Sequence, residues 1–217
     1  RVAAVPGLET SIAWALPAGV TTVLQGGVFS AGSLVDWLRT GLGLVDDAAA
    51  TGPLALSVPD TGGVRVLPAL AGLGAPWWRP EVRGVVAGLS AGTGRAHLVR
   101  AALDGIAHRV ADIVEAMAPA LPQPLAGLRV DGGLTANGYL MQRQADLLGL
   151  PVELAAIEES TALGIAGLAG LGAGVLDPSA IGAANPVRAT VTPRLPAVDR
   201  AAERDGWRRF VERAAGL

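Results

Sequence analysis

Apolar residues recur at helical spacing over one long segment of this chain, from about position 95 to position 117. They fall on a single face of the predicted helix, and Pro119 is expected to end it. Two shorter segments have the same spacing. One begins at Ser30 and is followed by Gly41 as a natural C-cap, and the other begins after Asn137. We therefore predict three amphipathic helices in these segments.

Four short runs rich in valine and leucine are bounded by glycine, proline or aspartate, which is typical of strands. They lie at Val64–Leu67, Val82–Leu89, Leu128–Asp131 and Pro151–Leu154. Strands and helices thus alternate along the chain. This order predicts an α/β layer fold, in which ligands bind at the carboxyl ends of the strands.

The segment from 160 to 176 carries no charge, but it is too short to cross a membrane and contains five glycines. We expect it to be a helix buried in the core. Residues 177–199 are expected to form a polar, proline-containing connection, and residues 200–215 an arginine- and glutamate-rich helix. The predicted domain then spans residues 1–217, with an α/β body up to about residue 176 followed by the connection and the last helix.

The composition excludes several classes of protein. The chain has 217 residues, 51% of them hydrophobic, and a mean hydropathy of +0.44, so it is not disordered. A net charge of −2 argues against a nucleic-acid partner. The absence of cysteine excludes disulfides and thiol nucleophiles, and the absence of lysine excludes a Walker A lysine and a Schiff base. No leader is visible before Pro6, so we expect a cytoplasmic protein without a membrane segment.

Three polar residues of the long predicted helix, Asp104, His108 and Asp112, are spaced by four residues. This spacing is compatible with a metal site or an acid–base pair on one helix face. It is equally typical of a solvated ladder of charge pairs, here together with Arg100. We favour the solvated ladder.

A strand-to-helix junction at residues 130–137 is the most informative local signal in the chain. Gly132 and Gly133 leave the backbone bare, so a flat base or a phosphate could approach the peptide N–H groups. The helix that starts after Asn137 adds the positive end of its dipole. Ordinary turns use the same residues. The residues alone therefore leave a nucleotide site and a plain turn open.

Several segments, taken in order, resemble the C-terminal half of the FGGY carbohydrate kinase family. Residues 84–89, followed by His97-Leu98 and residues 101–104, look like the long second signature of this family. The loop at 72–78 is similar to the form found in the family's glycerol kinases. Further similar segments lie at residues 29–39, 128–137, 159–167 and 206–209. The resemblance thus covers nearly the whole chain.

The resemblance implies an actin-like ATPase fold of the ribonuclease-H-like kind, in which two domains flank a cleft and this chain is the C-terminal one. It implies ATP-dependent phosphorylation of glycerol with Mg²⁺ by the full protein, giving glycerol 3-phosphate and ADP. The catalytic aspartate, the polyol pocket and a phosphate loop would lie in an N-terminal partner domain, upstream of the segment that matches Arg1. We therefore expect no catalytic residue and no phosphoryl transfer in this chain alone.

The family's nucleotide-binding positions correspond to Gly32, Asp36, Gly133 and Asn137, with Gly132 adjacent. The resemblance implies that the backbone of Gly133 and the side chain of Asn137 bracket the nucleotide, and it implies no protein ligand to a metal. Asp36 stands where glycerol kinases commonly carry glutamine. A carboxylate only accepts hydrogen bonds, and it adds negative charge near the phosphates.

Arg79 also departs from the family pattern, since the loop usually carries aspartate at this position. Alternatives stay open for the substrate, the activity and the assembly of the chain. The substrate could be a pentulose or a sugar acid instead of glycerol. The chain could also be a nucleotide-binding or interaction module without catalysis. A homo-oligomer is equally open, and an exposed apolar cleft wall would make the isolated domain prone to association.

Overall fold

The computed structural model describes residues 4–17 and 19–216, so that Arg1–Ala3, Ala18 and Leu217 of the predicted domain fall outside it. Strands and helices alternate along most of this part of the chain. The strands are β1 (Glu9–Leu16), β2 (Gly19–Gln25), β3 (Arg65–Leu67), β4 (Val85–Ala87), β5 (Leu128–Val130), β6 (Val152–Ala155) and β7 (Val187–Val191). The helices are α1 (Gly32–Thr40), α2 (Thr51–Leu56), α3 (Arg95–Met117), α4 (Gly138–Leu148), α5 (Ser160–Gly172), α6 (Pro178–Ala183) and α7 (Ala197–Ala215).

A three-stranded sheet with the order β5-β6-β7 carries the strand-to-helix junction. Strand β5 is parallel to β6, with Leu128 opposite Val152, and β7 is antiparallel to β6. The predictions of β5, β6 and α4 are confirmed. The expected connection at residues 177–199 instead contains α6 and the edge strand β7, and α7 begins before residue 200.

Two antiparallel hairpins complete the strands of the described residues. The pair β3–β4 matches two predicted strands, although β4 is limited to Val85–Ala87 of the expected run 82–89. The longer pair β1–β2 is not among the predicted elements. Several of its apolar side chains are exposed, among them Ile12 at 66% and Val20 at 61%, and none belongs to either core cluster.

The larger hydrophobic core surrounds α3, against which α1, α2, α4 and β6 contribute apolar side chains. The predicted helix is confirmed, and Ala102, Ile106 and Ile113 of its predicted apolar face are buried. The other residues of that face, Leu98, Val110, Val114 and Met117, are half-buried, whereas Val99 and Leu103 beside them are almost fully buried. A second core cluster joins the end of β3 and the segment that follows it to α7, with Leu67 on one side and Trp207 on the other. Val85 and Ala87 of β4 pack against the same cluster, so α7 is held against the β3–β4 hairpin.

Helix α5 is not the buried helix that the sequence predicts. It ends at Gly172, and Gly167, which packs against Ile181 of α6, is its single buried residue. Ile165 on the opposite side is 65% exposed. The prediction is wrong because an apolar helix can be covered by protein outside the described residues, which no local pattern reveals. Within the described part of the chain, no helix is both long and apolar enough to cross a membrane.

Candidate functional site

The junction after β5 forms a tight turn that ends at the start of α4. Gly132 has a φ of 84°, which a residue with a side chain rarely adopts, and its N–H donates to the carbonyl of Glu158 at 3.2 Å. Its own carbonyl accepts hydrogen bonds from the amide and the hydroxyl of Thr135, at 3.0 and 2.8 Å. The turn is therefore fixed in one conformation at the carboxyl end of a parallel strand.

Asn137 connects this turn to two helices. Its Oδ1 accepts a hydrogen bond from the amide of Leu140 at 3.1 Å and so caps the N-terminus of α4. Its Nδ2 donates to Oγ1 of Thr51 at 3.0 Å, and Thr51 begins α2. A Cβ at Gly52 would lie 2.9 Å from Oδ1 of Asn137, so the glycine permits this close approach. In this conformation Asn137 holds the turn in place.

No sequence pattern predicts Thr51 and Gly52 as site residues. Thr51, which accepts the hydrogen bond from Asn137, precedes it by 86 residues in the chain. No local motif surrounds them. A site residue whose role is to support a distant turn leaves no periodicity or spacing that a sequence pattern can detect.

The surface in front of the turn is open. A Cβ built at Gly132, Gly133 or Gly138 would meet no atom of the protein within 4 Å. The N-terminus of α4 follows directly after this turn, and there the helix dipole favours negative charge. Bare glycine backbone beside a helix N-terminus suits a phosphate-bearing or planar ligand, so the residues present fit a nucleotide.

Helix α1 carries the other two predicted positions. Gly32 is exposed and a Cβ there would also meet nothing within 4 Å. Asp36 is exposed and its carboxylate lies 3.4 Å from the guanidinium of Arg39. Leu34 of α1 and Leu134 of the turn pack into the same hydrophobic cluster. The structure thus anchors α1 and the turn in one core, but no hydrogen bond joins Gly32 or Asp36 to the turn in the described residues.

Helix α4 is docked on α3 by a polar contact at its first turn. The hydroxyl of Tyr139 donates to Oδ1 of Asp104 at 2.6 Å, and Nε of Arg143 donates to the same oxygen at 3.0 Å. Burial raises the pKa of Asp104, while the positive charge of Arg143 acts in the opposite direction. This contact fixes the helix whose N-terminus forms part of the candidate site.

The expectation that Asp104, His108 and Asp112 form a solvated ladder with Arg100 is wrong. His108 and Asp112 are 7% and 6% exposed. Their partners come from elsewhere: Arg204 of α7 contacts both, and Asp112 also accepts from the indole of Trp207. These side chains therefore fasten α7 to α3.

Among the described residues, no cluster of three or more histidine, aspartate or glutamate side chains is arranged to hold a metal ion. Arg79, which stands where the family's loop usually carries aspartate, forms an ion pair with Glu81. Its backbone amide and carbonyl pair with Leu73 and close the loop. The arginine is thus accommodated by a local acidic partner.

Comparisons with known proteins bear directly on this arrangement. Residues 3–173 match the family described as "FGGY family of carbohydrate kinases, C-terminal domain". The chain belongs to the FGGY family of carbohydrate kinases. The matched FGGY segment contains the turn, α1, α2 and all of α5.

Two relatives in the FGGY family are named glycerol kinase. The protein of Citrifermentans bemidjiense is 49% identical over 211 residues, which make up 97% of this chain and 43% of that protein. The protein of Symbiobacterium thermophilum is also 49% identical over 211 residues and is covered to 42%. The chain therefore spans less than half the length of these relatives.

Solved structures show the same fold. The crystal structure of Plasmodium falciparum glycerol kinase with ADP has a TM-score of 0.88 at 32% identity, covering 99% of this chain and 43% of that one. A ligand-bound xylulose kinase from Lactobacillus acidophilus has a TM-score of 0.78 at 21% identity, covering 97% and 42%. The predicted fold class is confirmed: the FGGY domain described here is an α/β actin-like ATPase domain that corresponds to the C-terminal half of two-domain sugar kinases.

Proposed function

We propose that this chain is the nucleotide-binding C-terminal domain of an ATP-dependent glycerol kinase. The observation that carries the proposal is the open glycine turn at residues 132–133, fixed by hydrogen bonds and placed before the N-terminus of α4. The choice of glycerol is supported by relatives named glycerol kinase at 49% identity, whereas the xylulose kinase structure is 21% identical. As a consumer of ATP, the protein would act in the cytoplasm.

Within this proposal, the peptide groups of Gly132 and Gly133 contact the nucleotide from one side. The absence of a Cβ at these positions lets a ligand approach the backbone. Gly32 offers a second open surface on α1, and Asp36 accepts hydrogen bonds there. Asn137 positions the turn and keeps one lone pair of Oδ1 for the ligand. ATP supplies the transferred phosphoryl group, and Mg²⁺ accompanies its phosphates without a protein ligand from this chain.

The partner in this proposal is the N-terminal domain, which the relatives possess in the remaining part of their length. Apolar surface of the kind that partners cover is present on this chain. A groove of about 400 Å³ runs between the β1–β2 hairpin and α5, lined by Trp14, Leu16, Ile165 and Leu168 among others. Exposed contiguous apolar surface marks an interaction site in folded proteins. We infer that the N-terminal domain packs here and completes the cleft.

The proposal is tested by calorimetric titration of the chain with MgATP. The decisive variant is Gly133→Val, because a Cβ at Gly133 meets no protein atom within 4 Å and the added side chain would occupy the open surface in front of the turn. Gly172→Val is the matched control, since a Cβ at Gly172 also meets nothing within 4 Å.

We expect the parent and Gly172→Val to bind MgATP with equal affinity and Gly133→Val to bind at least about tenfold more weakly, the loss expected when one close backbone contact is removed. Equal affinity of all three proteins would overturn the proposed site. Absence of binding to the parent, even when the N-terminal domain of a relative is added, would overturn the proposed function.

A further inference from the structure

A groove of about 420 Å³ lies between α7 and the β3–β4 hairpin. Its walls come from the strand pair on one side and from the second half of α7 on the other. None of its lining residues belongs to the candidate nucleotide turn. They are Gly63, Arg65, Val85, Ala87, Gly88, Gly206, Arg209, Phe210, Arg213 and Ala214.

Three arginines line this groove, and no carboxylate does. Arg65 lies on β3 directly across from Ala87, and its guanidinium packs against the backbone of α7, where a Cβ at Gly206 would lie 2.8 Å from Nη2. Arg209 and Arg213 stand one turn apart on α7, and Nε of Arg213 donates to the carbonyl of Arg209 at 3.0 Å. The three cations thus converge on one space from two elements.

Two other arginines of the same helix are paired with carboxylates. Arg204 forms ion pairs with Asp112 and Glu115 on the side that faces α3, and Arg208 pairs with Glu115. For the three groove arginines, by contrast, the described part of the chain provides no ion pair. The groove therefore keeps most guanidinium N–H groups available for an acceptor from outside.

The floor between the arginines is apolar. Val85 and Ala87 of β4 and Phe210 and Ala214 of α7 form it, and all four belong to or pack against the second core cluster. Gly88, with a φ of 79°, closes one end, where a Cβ would overlap the carbonyl of Gly63. Small-molecule sites typically combine this kind of rigid apolar floor with a few polar groups, in volumes of about 300–1,000 Å³.

We propose that this groove binds a small organic phosphate, with the phosphate between the arginines and the organic part on the apolar floor. A guanidinium presents a planar fork that matches two phosphate oxygens, and hydrogen bonds between charged groups are stronger than neutral ones. A dianion also removes the mutual repulsion of three neighbouring cations. The apolar floor distinguishes an organic phosphate from the inorganic ion.

The test is a titration of the full 217-residue chain followed by NMR of the arginine side-chain Nε–Hε signals. Phenyl phosphate is the main probe, and inorganic phosphate and phenol are its two halves. We expect saturable shifts at Arg65, Arg209 and Arg213 with phenyl phosphate, weaker binding of inorganic phosphate by at least about threefold, and no shifts with phenol. Binding should weaken as salt is raised.

The double variant Arg209→Gln/Arg213→Gln should weaken phenyl phosphate binding by at least about tenfold. Arg194→Gln, at another exposed arginine outside the groove, is the matched control and should bind as the parent does. Thermal unfolding of all variants confirms that they are folded.

Three results would overturn the inference: no saturable shift with phenyl phosphate, equal affinity for phenyl and inorganic phosphate, or equal weakening in Arg194→Gln. Saturable binding of a polyglutamate peptide without binding of phenyl phosphate would also overturn it, and would indicate an acidic protein partner instead.

Discussion

The imidazole ring of His108 on α3 stacks face to face on the indole ring of Trp207 on α7, with 4.6 Å between ring centroids and 3° between planes. Its Nδ1 lies 2.9 Å from Nη1 of Arg204. A guanidinium only donates hydrogen bonds, so Nδ1 accepts and the ring is neutral. Burial lowers the pKa of His108 well below its usual value, and the charge of Arg204 lowers it further.

This relationship predicts a pH-dependent stability. Below pH about 6.5 the unfolded chain binds a proton at His108 that the folded chain does not bind, so stability is lost as the pH falls toward the depressed pKa of the folded state. We expect the free energy of unfolding to decrease by at most about 1.4 kcal/mol per pH unit from this group. Urea unfolding followed by tryptophan fluorescence between pH 5 and 8 measures it.

Two variants separate His108 from other titrating groups. In His108→Gln the amide oxygen can accept from Arg204 without titrating, so the slope below pH about 6.5 should become flatter. His97→Gln removes the other histidine of α3 and serves as the comparison: the flattening should be larger in His108→Gln than in His97→Gln. An unchanged slope in His108→Gln would contradict the account of this contact.

Asp112 is the acceptor on which the attachment of α7 depends. Its carboxylate accepts from Arg109 at 2.9 Å, from Arg204 at 2.6 Å and from the indole of Trp207 at 3.0 Å. Asp112→Ala leaves two buried guanidinium groups without this partner, and we expect a loss of about 3–5 kcal/mol in the free energy of unfolding. Asp205→Ala, which removes an exposed partner of Arg208, should change it by less than about 0.5 kcal/mol. Similar effects of the two substitutions would refute this assignment.

Asp36 is predicted to weaken nucleotide binding. Its exposed carboxylate places a negative charge on α1 beside the proposed site, and Arg39 at 3.4 Å compensates it only in part. Asp36→Gln should therefore tighten MgATP binding by about twofold to fivefold, the size expected when one solvent-exposed negative charge near an anionic ligand is removed. Asp205→Asn, which removes an exposed charge on α7, should leave the affinity unchanged. Calorimetric titration with MgATP at low salt measures the affinities of the parent and of both variants.

The exposed face of α5 should make the isolated chain associate with itself. Ile165 is 65% exposed and lines the apolar groove next to the β1–β2 hairpin. Ile165→Glu should shift the chain toward monomer in light scattering while leaving its unfolding transition unchanged, because little of the side chain is buried. If the unsubstituted chain stays monomeric at high concentration, this surface does not drive self-association.

Much of the fold could be predicted from the sequence because local periodicity reflects which face of each element is buried. The pattern over α3 and the short apolar runs at β5 and β6 placed these elements correctly. The edge strand β7 was missed because almost all of its side chains are exposed and its pattern resembles a polar connection. The hairpin β1–β2 was missed for a different reason: none of its apolar residues belongs to a core cluster, so they do not alternate between a buried and an exposed face.

The candidate site could be predicted only in part. The glycines of the turn are visible in the sequence because a bare backbone at a strand end is a local feature. Other contacts join residues that are far apart in the chain. Asn137 and the supporting Thr51 are 86 residues apart, and Asp112 and Arg204 are 92 residues apart. Spacing along one helix therefore suggested a solvated charge ladder where tertiary packing produces a buried network.

The most direct test of the central claim is an amide NMR titration of the chain with MgADP. If nucleotide binds at the turn, the N–H signals of Gly132, Gly133 and Leu134 should show the largest shifts, with smaller shifts at Gly32 on α1. The signals of α7 should remain in place. Saturable shifts that map to another surface and leave the turn unchanged would contradict the account.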